Sequence, residues 1–171
     1  MTYTFRPMTG ADAHSIVAWR YTGPDAFYNL DPEDAAALLD PASPYVAVLD
    51  AAGSLVGFFG FGTGGQVSGG HRANLYDDEA LDVGLGLRPD LTGCGLGRDF
   101  VTAGLAYADE RFTPRAFRLT VAAFNRRAIT LYKRLGFQEG PAFTSSVRGV
   151  ETPFLLMTRG GLLRTNRGDP T

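Results

Sequence analysis

Leu81-Asp82-Val83-Gly84-Leu85-Gly86-Leu87-Arg88-Pro89-Asp90-Leu91-Thr92-Gly93-Cys94-Gly95-Leu96-Gly97 decides how this chain is built. Leu81, Val83, Leu85 and Leu87 alternate with Asp82, Gly84, Gly86 and Arg88, the period-2 pattern of a strand with one apolar face. The two glycines on its other face fit a bulge or the close approach of another group, a ligand included. After the turn Pro89–Gly97, the residues Phe100, Val101, Gly104, Leu105 and Ala108 mark an amphipathic helix to about Arg111. Strand, glycine turn and helix together make an anion cradle. Backbone N–H groups point outward at the helix start, the helix dipole favours negative charge, and glycine leaves room for phosphate oxygens.

Upstream, residues 2 to 6 alternate as a strand that Pro7 ends. Thr9 or Asp12 caps a helix carrying Ala13, Ile16 and Val17. Residues 21 to 30 read as irregular. Asp31-Pro32-Glu33-Asp34 starts a second helix, which ends near Asp40-Pro41. Tyr45–Leu49 and Leu55–Phe61 form a hairpin around Asp50-Ala51-Ala52-Gly53. Residues 62 to 80 form a long Gly-rich connection ending in acids, a length that is uncommon unless functional. Downstream, Phe117–Val121 is a strand, Asn125 caps a helix stopped by Gly136, and 137–147 and 150–158 are closing strands. The alternation predicts an α/β or α+β sheet with helices on its faces. One domain is expected over 1–159, with a loose polar tail over 160–171.

Composition narrows the function. The chain has 171 residues, is 44% hydrophobic and carries a formal net charge of −2. That balance lacks the positive field of a nucleic-acid binder. A single cysteine, Cys94, permits no intrachain disulfide. The N-terminus shows no apolar leader, and no run approaches the roughly 20 residues that span a bilayer. A cytoplasmic protein without membrane partners is expected. Two histidines and one cysteine without close spacing predict no metal site. The turn excludes two other phosphate binders. A nucleotide-triphosphate loop needs Lys and a hydroxyl residue after its last glycine, where this chain has Arg98-Asp99. A dinucleotide fingerprint needs a third glycine where Arg98 stands, and an acid at the end of a second strand.

The segment Leu87 to Gly97 resembles the coenzyme A motif of the GNAT N-acetyltransferases, Arg/Gln-x-x-Gly-x-Gly/Ala after a strand. Gly95 and Gly97 match its small positions, and Thr92 stands where Arg or Gln is usual. Val121 to Phe137 resembles the family's Asn-x-x-Ala-x-x-Leu-Tyr-x-x-x-Gly-Phe segment through Asn125, Ala128, Leu131, Tyr132, Gly136 and Phe137. The resemblance spans about residues 3 to 158. It implies a mixed, mostly antiparallel central sheet with helices on both faces and two parallel strands, Leu81–Arg88 and Phe117–Val121, that splay apart around the pantetheine arm. It implies acetyl-CoA as cosubstrate and direct attack of an amine on the thioester.

Site residues follow from that resemblance. Backbone groups of Leu85, Gly86 and Leu87 meet the arm, and Gly84 and Gly86 leave room beside the thioester. The turn Thr92, Gly93, Cys94, Gly95, Leu96 and Gly97 holds the pyrophosphate through its backbone. Asn125 contacts the pantetheine and Tyr132 protonates the departing thiolate. The two are separated by two helical turns, roughly 10 Å. Arg126, Arg127 and Lys133 lie on that helix, where they meet the 3′-phosphate or simply face solvent. A carboxylate base is expected, Glu79 first, with Asp77, Asp78 and Asp82 nearby. The same acids also fit a surface cluster that attracts a cationic amine. His71 is a candidate for the acceptor side, and the aromatics Phe27, Tyr28, Phe58, Phe59 and Phe61 either line the acceptor cleft or are simply core. The acceptor is a small-molecule or peptide amine. The alternative function is a non-catalytic coenzyme A-binding sensor. An exposed final strand offers a surface for a homodimer.

Overall fold

In the computed structural model, residues 2–77 and 79–161 are described. The expected tail beyond Gly161, and Asp78 of the acidic cluster, lie outside the described residues. Seven strands form one sheet in the order β1-β2-β3-β4-β5-β7-β6. They are β1 (Thr4–Pro7), β2 (Tyr45–Leu49), β3 (Leu55–Phe61), β4 (Leu81–Leu87), β5 (Ala116–Ala122), β6 (Gln138–Val147) and β7 (Val150–Gly160). All neighbours are antiparallel except β4 and β5. Pro7 ends β1 as expected, and an edge strand tolerates the missing N–H.

The sheet divides the core. On one face Phe59 and Phe61 pack with Phe100, Val101 and Leu105 of α4 (Gly97–Phe112). The rings of Phe59 and Phe100 stack at 4.9 Å. On the other face Phe58 and Tyr45 meet Ile16 and Val17 of α1 (Gly10–Val17) and Leu38 of α2 (Ala35–Leu38). Thr9 is the α1 cap, and Asp12 is its capping-box partner. Asp12 also accepts from Arg6 at 2.5 and 3.0 Å, which ties α1 to β1. These bonds hold the Asp12 carboxyl down at about 2.

Some elements differ from expectation. The segment read as irregular contains a 3₁₀ turn, Gly23–Tyr28. The helix after Asp31 begins as a 3₁₀ turn, Pro32–Asp34, before the short α2. The connection 62–80 holds a 3₁₀ turn, Gly62–Gly65, and α3 (Ser68–Arg72). Its glycines serve close packing, since a side chain at Gly69 would begin 2.2 Å from the Thr144 carbonyl oxygen. The final strand is not an exposed edge. β7 lies between β5 and β6, because both flanking strands need its antiparallel edges.

The strands that matter most are β4 and β5. Their ladder holds only Leu81↔Phe117 and Asp82↔Arg118. At the second pair, Arg118 grips Asp82 through Nε at 2.6 Å and Nη2 at 2.8 Å, with both side chains 3% exposed. Gln66 donates to the same carboxylate at 2.7 Å, and Asp77 accepts from Arg118 at 2.7 Å. Asp82→Asn leaves the buried guanidinium with the exposed Asp77 carboxylate as its one remaining ion pair among the described residues. We expect a loss of about 3 kcal/mol in urea unfolding. Asp12 contributes stability that is present above pH 3.8 and lost as pH falls through its folded value of about 2. Asp12→Asn should therefore remove about 2 kcal/mol at neutral pH, and the gap to the wild-type chain should close near pH 2 in urea titrations.

Candidate active site

Beyond Asp82 and Arg118 the strands part, and a cleft of about 1010 Å³ opens between them. It runs through the sheet. α4 and α5 (Arg126–Arg134) border one side, while α1 and the turn Gly23–Tyr28 border the other. The β3–β4 register decides which backbone groups face it. Arg88 N–H donates to the Val56 carbonyl at 2.8 Å, and Gly57 lies opposite Leu87. In an antiparallel ladder, hydrogen-bonded and open positions alternate. Gly84, Gly86 and Arg88 therefore point their N–H and C=O groups at β3, and Val83, Leu85 and Leu87 point theirs into the cleft. Leu85 and Leu87 offer the edge that the resemblance requires, whereas the Gly86 backbone belongs to the sheet.

Gly84 and Gly86 have another reason than the expected one. A side chain at Gly86 would begin 2.3 Å from the Phe58 ring, and one at Gly84 would begin 2.8 Å from the Gly64 carbonyl. Protein atoms, not the space beside a thioester, require these glycines.

At the far end of β4 the glycine turn enters α4. Gly93 and Gly95 are left-handed, with φ of 74° and 79°. No heavy atom lies within 4 Å of where a Gly95 side chain would begin. No N-cap side chain bonds the start of α4, and a helix start of this kind suits an anion. By contrast Thr9 caps α1 and Asn125 caps α5. An uncapped helix start with open left-handed glycines fits the pyrophosphate of coenzyme A. The Thr92 hydroxyl donates to the Pro89 carbonyl at 2.8 Å, which leaves the backbone as the cradle.

α5 brings Asn125 and Tyr132 to the cleft. Asn125 Oδ1 accepts from Ala128 N–H at 3.1 Å, so its Nδ2 points away from the helix and donates to Tyr28 Oη at 2.9 Å. Tyr132 is buried, and none of the described residues hydrogen-bonds its hydroxyl. Burial pushes its pKa up and keeps it protonated. The same cause raises Tyr28 and pushes Tyr21 up to about 12. The Tyr21 hydroxyl donates to the Leu87 carbonyl at 2.8 Å, and Arg127 pairs with Asp25 at 2.9 Å.

Leu85, Gly86, Leu87, Thr92, Gly93, Gly95, Gly97, Asn125, Arg127 and Tyr132 thus line one cleft. Cys94 and Leu96 do not; Cys94 is exposed on the turn, and Leu96 precedes α4. Glu79 is not brought to the cleft. It borders a separate pocket with Asp77, Arg115 and Arg118, because the β4–β5 ladder lies between it and the splay. His71 packs on Tyr76 in α3, outside the cleft. Phe27, Tyr28 and Phe58 line it, while Phe59 and Phe61 are core. Lys133 pairs with Glu139. Sequence reading missed Tyr21, Asp25 and Arg118, none of which stands in a motif.

This architecture, with a splayed strand pair leading into a glycine turn and a helix start, is that of a coenzyme A-using acyltransferase fold. The chain belongs to the GNAT acetyltransferase family, whose model matches residues 11–137. The mycothiol acetyltransferase of Streptomyces coelicolor is 35% identical over 111 residues, 64% of this chain and 31% of that protein. A mycothiol acetyltransferase of Propionibacterium freudenreichii is 36% identical over 102 residues, 57% of this chain and 28% of that protein. The chain therefore spans about a third of the length of these curated relatives. Among solved structures, a spermidine N-acetyltransferase chimera from Vibrio cholerae and hSSAT shares the fold. Its TM-score is 0.71 at 19% identity, covering 94% of this chain and 96% of that one. Among the described residues no helix is long and apolar enough to cross a membrane.

Gly95→Leu should weaken acetyl-CoA binding at least about tenfold by calorimetry. Folding should suffer only the left-handed penalty, about 1–2 kcal/mol. Unchanged affinity would remove the cradle assignment.

Proposed function

We propose that this chain is an acetyl-CoA-dependent N-acetyltransferase that transfers the acetyl group to a primary amine by direct attack. The observation that carries it is the β4 edge at Leu85 and Leu87, running straight into the uncapped α4 turn. Among the described residues no strand pairs this edge, and only the Leu87 carbonyl is engaged, by Tyr21. The edge fits an amide-bearing arm, and the turn fits the pyrophosphate at its end. When bound, acetyl-CoA supplies the thioester.

The chain's own residues do the rest. Leu85 and Leu87 orient the arm through backbone groups. Gly93, Gly95 and Gly97 receive the phosphates through N–H groups. Arg127 and Arg126 flank the turn on the α5 side, where guanidinium groups suit phosphate oxygens. The buried Tyr132 hydroxyl stays protonated across the physiological range, gives its proton to the leaving thiolate and takes one back from water at the open mouth. The apolar walls, among them Phe27 and Phe58, exclude water from the attack. Asp25 is the sole carboxylate lining the cleft among the described residues, and Arg127 holds it. The amine proton leaves through water at the open mouth.

Release of free coenzyme A thiol against a panel of amines tests the activity. Tight acetyl-CoA binding with no transfer to any amine would favour the sensor reading. Tyr132→Phe should lower kcat on the order of 10²-fold with acetyl-CoA affinity within about twofold. Equal turnover over the whole pH range would remove Tyr132 as the acid.

A further inference from the structure

The chain between α1 and α2 closes on itself. Asn29 Oδ1 accepts from the Tyr21 N–H at 2.7 Å, and Asn29 Nδ2 donates to the Tyr21 carbonyl at 3.3 Å. One side chain thus takes both main-chain groups of the residue eight positions before it. The Asn29 N–H donates to the Ala26 carbonyl at 3.1 Å, and the Asn29 carbonyl accepts from Arg148. Gly23, left-handed with φ of 60°, turns the chain between the two ends. Residues 21–29 are therefore a closed loop with Asn29 as its neck.

Three side chains leave this loop, and they reach opposite lips of the cleft. Tyr21 Oη donates to the Leu87 carbonyl on β4 at 2.8 Å. On the α5 side, Tyr28 Oη accepts from Asn125 at 2.9 Å and Asp25 accepts from Arg127 at 2.9 Å. The rings of Tyr21 and Tyr28 meet edge to face at 6.5 Å, which joins the two arms. Leu87 lies five residues beyond Asp82, about 16 Å from the last pair of the β4–β5 ladder. The clasp sets where the strands part; over that length it does not fix how far.

The three contacts do not plug the site. A carbonyl oxygen has a second lone pair, an amide nitrogen a second hydrogen, and a guanidinium five N–H groups. Leu87, Asn125 and Arg127 can each hold the loop and a ligand together. The contacts fix where these groups stand and leave capacity for the arm and the phosphates.

Resting on the acetyltransferase reading above, we infer that the loop 21–29 is a brace that sets the width of the coenzyme A cleft, and that Asn29 is the positioning residue that keeps it closed. Asn29 acts through Tyr21, Asp25 and Tyr28 rather than on the cofactor.

The experiment is a double-mutant cycle read by calorimetric binding of acetyl-CoA, with Asn29→Ala, Tyr21→Phe and both together. Asn29→Ala should weaken binding about tenfold and Tyr21→Phe about fivefold. The two changes break one brace, so the double variant should bind within about twofold of Asn29→Ala. Additive losses, as from two unconnected sites, overturn the positioning role of Asn29. Unchanged affinity in either single variant, with its urea transition intact, overturns the brace. Tighter binding by Tyr21→Phe also overturns it, since the loop would then compete with the cofactor. Where Asn29→Ala fails to fold, Tyr21→Phe, which removes one hydroxyl, decides alone. No acetyl-CoA binding by the unsubstituted chain overturns the acetyltransferase reading together with the brace.

Discussion

The bidentate grip of Arg118 on Asp82 is the interaction on which the rest of the structure depends. Two parallel strands that pair for only two residues would ordinarily be a weak junction. Here the last pair of the ladder is also a buried ion pair, with Gln66 and Asp77 completing its hydrogen bonds. Removing one partner of a buried pair is costly because it strands a charge. The junction is therefore stable at the point where the strands part, and the cleft starts there. Without it β4 and β5 would be free to slide or zip, and the open edge of Leu85 and Leu87 would close.

The turn Gly23–Tyr28 and its flanks bridge what the splay opens. Tyr21 reaches the β4 edge at Leu87, while Asp25 and Tyr28 reach α5 at Arg127 and Asn125. Phe27 and Tyr28 stand against Phe124 just before that helix. One short segment thus touches both lips of the cleft. It also engages the Leu87 carbonyl and the Arg127 guanidinium, two groups that the cofactor side would use. The acceptor wall and the cofactor wall are therefore linked through this segment as well as through the sheet.

The fold was legible where local rules govern. Apolar, β-prone runs placed β2 and β3, period-2 alternation placed β4, and the Asn125 cap placed the start of α5, because all three depend on residues close in sequence. The glycine turn and the start of α4 were legible because the glycines and the helix are contiguous. The clasp was not. Arg118 lies in a strand 36 positions from Asp82, and nothing near either residue announces the pair. Gly84 and Gly86 were visible as places of close approach, but the approaching atoms belong to Phe58 and Gly64, which only the register of β3 and the path of the Gly62–Gly65 turn bring there. Residues 62–80 hid two helical turns because helix propensity is low in Gly-rich sequence and packing against β4 and β6 overrides it.

The acidic cluster shows how one tertiary contact reassigns chemistry. Read along the chain, Asp77, Glu79 and Asp82 form a reservoir of carboxylates at the start of the central strand, the natural place to seek a base. In three dimensions Arg118 takes two of them into the clasp, and the third borders a pocket behind it. The junction that opens the cleft thereby withdraws the nearest acids from it. Among the described residues the cleft is lined by the buried Tyr132, the half-buried Tyr21 and Tyr28, the Asp25–Arg127 ion pair, further arginines and apolar walls. Arg118 thus sets both where the ladder ends and where the acids go: the grip that ends the β4–β5 pairing is made with the carboxylates that chain order would put at the site.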